Sequence, residues 1–376
     1  MDIFDFVAQA KAKRASDLHL TAHSQPLVRV NGLLGPLNGF EPLTTTDIRD
    51  AIVQLASPQQ MESFDRTHEL DFGFHMKDGT SLRCNVAQQR GSLSLAVRIL
   101  PPKLPDIDEL ELPEICKKLV SIRRGLVVIS GPTGSGKSTT QAAMVNYINN
   151  NHMRYVVTIE DPIEYFHPNI KSVVIQRELG GDTYSFAQAL KHVLRHDPDV
   201  ILVGEMRDEE TVNAVLSLAE TGHLILTTSH APRVTQTVER IIDLFKPEER
   251  SLAQSRIASL LTAVLCQTLV PRADGTGRVA AVETMMVNPA VANAIRESKF
   301  NYLNNIMRSN ADEGMISLDR VLANLYLDGV ISGETVFSFC HEVDEVKKIL
   351  YEYSNPSDRK EKRARSKTPQ QQAPMI

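Results

Sequence analysis

The sequence predicts an α/β fold in which a small α+β domain precedes a larger domain built on a buried parallel sheet. From Gly125 onward, short apolar runs alternate with helical patterns, and these runs lie at 126–129, 155–159, 200–203 and 223–228. Strands of a parallel sheet that is covered on both faces show such continuous runs. A glycine-rich segment joins the first run to a helical pattern that begins near Lys137. The chain therefore changes here from mixed signals to the pattern of a parallel α/β domain.

Residues 1–100 predict the smaller domain, because short helical and strand signals mix there. Helices are predicted at 2–14 and after Thr46. Turn residues separate the strands, for example Asn31-Gly32 and Lys77-Asp78-Gly79. The predicted strands are 17–20, 27–30, 70–74, 81–86 and 92–100.

The segment 101–112 is predicted to be a linker, since three of its first five residues are proline. The larger domain is then expected at 113–353, mostly helical after Pro247 and with one strand near 278–287. The remaining residues, 354–376, contain few apolar side chains and a run of charges, which predicts a disordered basic tail.

Composition is that of an ordinary globular protein, with 42% hydrophobic and 23% charged residues. The formal net charge of -5 gives no overall basic surface, so we expect no nucleic-acid partner. The longest apolar stretch, 257–270, is interrupted by polar residues, so we expect no direct membrane insertion. The first residues lack the basic start and apolar run of a signal peptide, which predicts a cytoplasmic protein.

Residues 131–138 fit the pattern G-x-x-x-x-G-K-[ST] between a strand and a helix. Glycines let successive backbone N–H groups turn toward phosphate oxygens, and the helix N-terminus adds a partial positive charge. Lys137 suits the β- and γ-phosphates, and the Ser138 hydroxyl suits Mg²⁺. The sequence therefore predicts a site for ATP with Mg²⁺. The predicted binding residues are Gly131, Pro132, Thr133, Gly134, Ser135, Gly136, Lys137, Ser138 and Thr139.

Acidic residues and a histidine follow three other predicted strands, at the edge where open α/β sheets bind ligands. Glu205 follows an apolar strand and is predicted to help hold Mg²⁺. Asp199, at the start of that strand, is expected to be a turn residue. Glu160 could polarise the attacking water or lie in a solvated loop, and the spacing leaves both open. His230 could sense the γ-phosphate or be structural.

Four segments together resemble the secretion ATPases, and within them the PilT/PilU branch of type IV pilus retraction motors. They are a Walker A motif at 131–139, an Asp box at 158–164, a Walker B motif at 197–208 and a His box at 221–230. The resemblance runs in order from residue 1 to about residue 350. The export and assembly branch usually carries a four-cysteine zinc insert. The cysteines of this chain lie far apart, which favours the retraction branch.

The resemblance implies a RecA-like P-loop NTPase domain with a PAS-like N-terminal domain, assembled as a homohexamer. It implies that Glu160 activates water, that Glu205 helps to hold Mg²⁺, and that Arg83 and Arg98 reach the phosphates. ATP hydrolysis would then act on an inner-membrane platform protein and drive pilus retraction, with a paralogous motor ATPase as a further partner. The catalytic residues so implied are Lys137, Glu160, Glu205, His230, Arg83 and Arg98.

Departures from the family pattern leave alternatives open. The His box pairs His223 with His230, but Ser229 stands where the family has leucine. Within 289–297, Ala292 occupies the position of the first arginine of the PilT pattern. An accessory, nucleotide-gated subunit therefore stays open beside a retraction motor. So does an export or assembly ATPase of a related pilus or secretion system.

Overall fold

The computed structural model describes residues 2–30, 32–100 and 103–352. Asn31, the first two residues of the predicted linker, and the predicted tail at 354–376 lie outside the described residues. Contacts divide the chain into two compact units. The first comprises the residues up to Asp106 together with Val145–Gly204, and the second comprises Ile107–Met144 together with Glu205 and the residues after it. The predicted domain boundaries at 100 and 113 stay a prediction.

The described residues form strands and helices in the following order. The strands are β1 (Asp17–Thr21), β2 (Leu27–Val30), β3 (Leu33–Pro36), β4 (Glu69–His75), β5 (Ser81–Gln89), β6 (Ser92–Leu100), β7 (Gly125–Ser130), β8 (Tyr155–Glu160), β9 (Val173–Glu178), β10 (Val200–Val203), β11 (Leu224–Thr228), β12 (Leu261–Pro271) and β13 (Arg278–Met286). The helices are α1 (Ile3–Ala12), α2 (Thr45–Leu55), α3 (Pro58–Thr67), α4 (Ile115–Ser121), α5 (Lys137–Asn151), α6 (Phe186–Val193), α7 (Glu209–Glu220), α8 (Val234–Asp243), α9 (Arg250–Leu260), α10 (Pro289–Arg296), α11 (Leu303–Ser309), α12 (Leu318–Leu327), α13 (Gly333–Phe339) and α14 (Val343–Glu352).

The N-terminal sheet of the first unit has the strand order β3-β2-β1-β6-β5-β4 and is antiparallel throughout. Alternate side chains such as Leu18 and Leu20 on β1 are fully buried, which is the period expected for a sheet with one covered face. Helices α1 and α2 contact this sheet. Helix α2 begins with a capping box, in which the Thr44 hydroxyl accepts from the Asp47 N–H at 3.2 Å and the Asp47 carboxylate accepts from the Thr44 N–H at 2.8 Å.

Three parallel strands of the first unit follow the order β10-β8-β9. All residues of β10 and the four central residues of β8 are buried, as the apolar runs predict. Because the pairing is parallel, the carboxyl ends of these strands lie at one edge. Glu160 and Glu178, the last residues of β8 and β9, are register partners there.

In the second unit the strand order is β13-β12-β7-β11, with β7 parallel to both β12 and β11. The expectation of mostly helical structure after Pro247 is wrong for Leu261–Pro271, which forms the strand β12. A continuous apolar run does not by itself distinguish a buried helix from a buried strand. Here β12 pairs with β7 on one side and β13 on the other, so both of its hydrogen-bonding edges are occupied.

Buried carboxylates organise the C-terminal helices of the second unit. Glu283 on β13 accepts from the N–H of Val234 at 3.0 Å, at the start of α8. Asp319 on α12 accepts from the N–H groups of His341 at 2.6 Å and Glu342 at 3.1 Å, just before α14. These side chains satisfy backbone donors that have no partner within the helix itself. Among the described residues, no helix has the length and apolar character needed to cross a membrane.

Candidate functional site

The glycine-rich segment forms a loop between the buried strand β7 and helix α5, as the motif requires. Gly131 and Gly136 have φ values of 143° and 86°, which side chains rarely allow. A Cβ atom on Gly131 would lie 2.3 Å from the backbone oxygen of Gln267, and one on Gly136 would lie 2.9 Å from the side-chain nitrogen of Gln267. Glycine is therefore required at both positions, because the backbone has a positive φ and β12 lies too close for a side chain.

Lys137 is buried within this loop, and its Nζ donates to the carbonyl oxygens of Gly131 at 2.9 Å and Pro132 at 3.1 Å. Ser135 is 3% exposed, and its hydroxyl has no hydrogen-bond partner in the described part of the chain. Ser138, at the start of α5, is exposed. A buried ammonium, an unpartnered hydroxyl and an exposed hydroxyl at a helix N-terminus fit a phosphate group with a bound Mg²⁺.

Gln267 on β12 braces the same loop and was missed by the sequence reasoning. Its Nε2 donates to the Ser135 carbonyl at 2.8 Å, and its Oε1 accepts from the Thr140 hydroxyl at 2.7 Å. The side chain is only 3% exposed. The one available signal was a glutamine within the mostly apolar stretch 257–270, because a buried amide needs partners.

The carboxylate of Glu205 contacts an imidazole and a guanidinium group in the second unit. Its Oε2 lies 3.2 Å from the Nε2 of His230, and its Oε1 pairs with the guanidinium of Arg207. Glu205 is buried, whereas His230 and Arg207 are exposed. The structure therefore brings together two residues that the sequence placed in the site, Glu205 and His230, and adds Arg207. Because an ionised carboxylate only accepts hydrogen bonds, the Nε2 of His230 is the donor in this contact.

The backbone after His230 is tied to the end of β7, one residue before the phosphate loop. The Ser130 hydroxyl donates to the Ala231 carbonyl at 2.7 Å and accepts from the Ala231 N–H at 3.1 Å. The N–H of Ser229 donates to the Ile129 carbonyl at 3.0 Å. Ser229, which departs from the family pattern, thus takes part in this connection through its backbone.

His223 lies at the opposite end of β11 from His230. Its Nδ1 is 2.9 Å from the Leu218 carbonyl and 3.0 Å from the Thr221 hydroxyl. The five residues of β11, which span roughly 16 Å at about 3.3 Å per residue, lie between the two histidines. The structure does not bring His223 to Glu205 with His230, and its contacts give it a structural role at the end of α7.

Glu160 closes β8 in the first unit. Its Oε1 accepts from the Thr158 hydroxyl at 2.6 Å and from the Gln176 amide at 3.2 Å. Burial raises the pKa of Glu160 to about 7, with the carboxylates of Glu164 and Glu178 adding to the rise and the two hydrogen bonds opposing it. A carboxylate with a pKa near neutrality is suited to accept a proton from water.

Arg83 and Arg98 are register partners on β5 and β6, so their side chains share one face of the N-terminal sheet. Within this unit Arg83 pairs with Glu164 at 3.6 Å, and Arg98 pairs with Asp17 at 3.0 Å. Their side chains are 40% and 61% exposed. The structure thus shows both arginines engaged with carboxylates, and their predicted contact with phosphates stays a prediction.

Comparison with known proteins places these features in a family. The model of the type II/IV secretion system protein family matches residues 80–316, which is more than half of the chain. The chain belongs to this family. It is 40% identical over 334 residues to the type IV pilus retraction ATPase PilT of Pseudomonas aeruginosa, an alignment that covers 89% of this chain and 96% of PilT. It is 37% identical over 338 residues to the type IV pilus ATPase PilU of the same organism, covering 90% of this chain and 88% of PilU.

The fold of the family member is similar to a solved structure over almost its whole length. A crystal structure of the pilus retraction motor PilT with bound ADP matches with a TM-score of 0.86 and 38% identity, covering 93% of this chain and 99% of that chain. The predicted fold class, a RecA-like P-loop NTPase domain with an N-terminal α+β domain, is confirmed.

Proposed function

We propose that this family member is a Mg²⁺-dependent ATP hydrolase that drives type IV pilus retraction as a homohexamer. The observation that carries the proposal is the preformed phosphate loop, in which Lys137 is buried against the loop carbonyls and Gln267 braces the turn. The similarity to PilT over most of the chain supports the same function.

Nucleotide binding is assigned to residues 131–139, with Lys137 beside the β- and γ-phosphates. Ser138 and Glu205 would hold Mg²⁺, which neutralises phosphate charge when bound. Mg²⁺ in such sites takes few protein ligands and completes its shell with phosphate oxygens and water. A Mg²⁺ site of this kind does not require a cluster of three or more His, Cys, Asp or Glu side chains. No such cluster occurs among the described residues.

Hydrolysis is assigned to Glu160 as the base that takes a proton from the attacking water. His230, which lies 3.2 Å from Glu205, would report the state of the γ-phosphate. Arg83 and Arg98 would stabilise the negative charge of the transition state. Lys137 would contribute charge on the same phosphates.

The partners of this proposal are other copies of the same chain, an inner-membrane platform protein of the pilus and a paralogous motor ATPase. The protein would be cytoplasmic and bound peripherally at the inner membrane. The similarity to two ATPases of Pseudomonas aeruginosa, PilT and PilU, supports a paralogous motor as a partner.

One observation favours a second candidate, an accessory subunit of the motor. Ala292 lies on the buried face of α10 and is 8% exposed. The PilT pattern has an arginine there, and this chain has no charged group at that position. An export or assembly ATPase is the further alternative, because the same hydrolysis site could drive pilus assembly or secretion in place of retraction.

Steady-state ATP hydrolysis by the purified protein tests the enzymatic assignment. We expect Lys137→Ala and Glu160→Gln to lower kcat by at least about 100-fold, and Glu160→Gln to keep its affinity for ATP. Glu205→Gln should also lose activity, whereas Asp199→Asn, at the start of β10, should not. Asp199 accepts from the Tyr155 N–H at 2.8 Å and has a structural role. Wild-type turnover by Glu160→Gln would show that Glu160 is not the base.

Deletion of the gene, with complementation, tests the direction of the motor. Hyperpiliated, non-motile cells that wild-type protein rescues and Lys137→Ala does not would support retraction. Cells without pili would support assembly instead. Normal retraction in cells that carry Lys137→Ala would favour the accessory subunit.

A further inference from the structure

Gln176 lies beside Glu160 because of strand register. Gln176 on β9 is the register partner of Thr158 on β8, and Glu160 follows Thr158 by two residues. Side chains of register partners, and of residues two apart on a strand, share one face of a sheet. The polar groups of Thr158, Glu160 and Gln176 therefore meet on one face at the carboxyl end of β8.

Both neighbours donate to the same oxygen of Glu160. The Thr158 hydroxyl is 2.6 Å and the Gln176 Nε2 is 3.2 Å from Oε1. Thr158 is 1% exposed, so its hydroxyl has no competing bulk water. Two donors on Oε1 orient the carboxylate and leave Oε2 as the oxygen that takes the proton of the attacking water.

Gln176 also anchors the loop that follows Glu160. Its Nε2 donates to the Tyr165 carbonyl at 2.8 Å, and its Oε1 accepts from the His167 N–H at 2.8 Å. These two bonds determine which way the amide faces, because the oxygen must meet an N–H donor. The Nε2 atom of Gln176 therefore faces the carboxylate of Glu160.

We propose that Gln176 and Thr158 are positioning residues that hold Oε1 of Glu160 so that Oε2 can act as the base in ATP hydrolysis. This inference rests on the proposed function, in which Glu160 activates water. It adds two residues that act through Glu160 and do not touch the nucleotide.

The surroundings of Glu160 determine whether loss of a hydrogen bond raises or lowers its pKa. Glu164 and Glu178 lie near enough to raise the pKa of Glu160, and burial raises it most, to about 7. The hydrogen bonds from Thr158 and Gln176 stabilise the ionised form and lower the pKa. Removal of either donor should therefore raise the pKa, and activity that needs the ionised carboxylate should appear at higher pH.

The experiment is a pH profile of kcat for ATP hydrolysis by the full-length protein. We expect the wild-type kcat to rise through a midpoint near pH 7. Gln176→Leu and Thr158→Val should move this midpoint up by about one pH unit, since one hydrogen bond to a charged group has about that effect, and this shift lowers kcat at pH 7 by about fivefold. KM for ATP should stay within about twofold, because neither residue touches ATP. Thr158→Ser, which retains the hydroxyl, should restore the wild-type midpoint.

Asn149→Ala is the matched control for a purely structural role of Gln176. Asn149 is fully buried and holds the same loop, with its amide donating to the Pro168 carbonyl at 2.6 Å and its oxygen accepting from the Ile170 N–H at 3.1 Å. Within the described residues, no hydrogen bond of Asn149 reaches Glu160. This variant should leave the midpoint in place even if its melting temperature falls.

Two outcomes would overturn the inference. One is a wild-type midpoint in both Gln176→Leu and Thr158→Val. The other is an equal shift in Asn149→Ala, which would assign the effect to the loop as a whole. Both are distinct from failure of the proposed function, which active Glu160→Gln would reveal.

Discussion

At the scale of single residues, the shape of the phosphate loop depends on a side chain outside it. Gln267 joins the Ser135 carbonyl to the Thr140 hydroxyl, and so links the loop to the first turn of α5. The contact is buried, where a lost hydrogen bond leaves its partners unsatisfied. Affinity for nucleotide should therefore depend on this amide although no motif includes it.

Replacing Gln267 by leucine should weaken ADP binding by about tenfold, which corresponds to about 1.4 kcal/mol for a loop that must re-form its shape. Titration calorimetry with ADP measures the effect. The control is Gln141→Leu on α5, because Gln141 is equally buried and its Nε2 has no hydrogen-bond partner among the described residues. That variant should bind ADP like the wild type. An unchanged Kd for ADP in Gln267→Leu would show that Gln267 does not stabilise the phosphate loop for binding.

The residues of the phosphate loop could be predicted from the sequence, because the motif is contiguous and its chemistry depends on local backbone. Glu205 with His230 could be proposed from strand ends alone. Gln267, Gln176 and Arg207 could not be, because their roles depend on which strands or loops become neighbours in space. The spacing of residues in the sequence does not show which strands and loops become neighbours in space.

At the scale of elements, a buried carboxylate of the second unit holds the backbone at the start of α14. Asp319 accepts two backbone N–H groups just before α14 and is 4% exposed. No apolar replacement can satisfy those donors. The start of α14 should therefore depend on Asp319 more than on the acidic residues of its own first turn.

Replacing Asp319 by alanine should lower the free energy of unfolding by about 2–4 kcal/mol, since two backbone N–H groups lose a buried charged acceptor. Chemical denaturation provides the measurement. Asp344→Ala is the control, because Asp344 is fully exposed and lies 3.9 Å from Lys347. Its stability should not change measurably. Equal stability of both variants would contradict the capping role.

Most elements could be predicted from periodicity, and β2 and β6 have the predicted bounds. The sequence reasoning missed β3, β9 and β12. β3 contains Gly35 and Pro36, and β9 ends in the polar run Gln176-Arg177-Glu178, so both lack a clear strand pattern. β12 is mostly apolar but is interrupted by Thr262, Gln267 and Thr268, and it forms a strand because it pairs with β7 on one side and β13 on the other.

At the scale of the whole molecule, the fold class could be predicted because the order of strands and helices is repeated along the chain. The domain boundaries and the oligomeric state depend on surfaces that no local pattern records. The arginines of the N-terminal sheet belong to this scale, because their proposed role requires them to leave Glu164 and Asp17 during turnover. The Arg83–Glu164 pair is partly exposed and contributes little to stability, so its exchange has a small cost. Asp17 is buried, but it also accepts from the Ser16 hydroxyl at 2.7 Å and lies 3.9 Å from Arg29, which limits the cost when Arg98 leaves.

Replacing Arg83 or Arg98 by alanine should lower kcat for ATP hydrolysis by at least about tenfold, because a positive charge in the transition state is lost. The melting temperature should stay within about 2 °C, since both side chains are substantially exposed. Arg49→Ala is the matched control, as Arg49 pairs with Asp65 at 3.7 Å on the surface of the same unit. It should keep both activity and stability. Wild-type kcat in Arg83→Ala and Arg98→Ala would show that these arginines serve only their carboxylate partners.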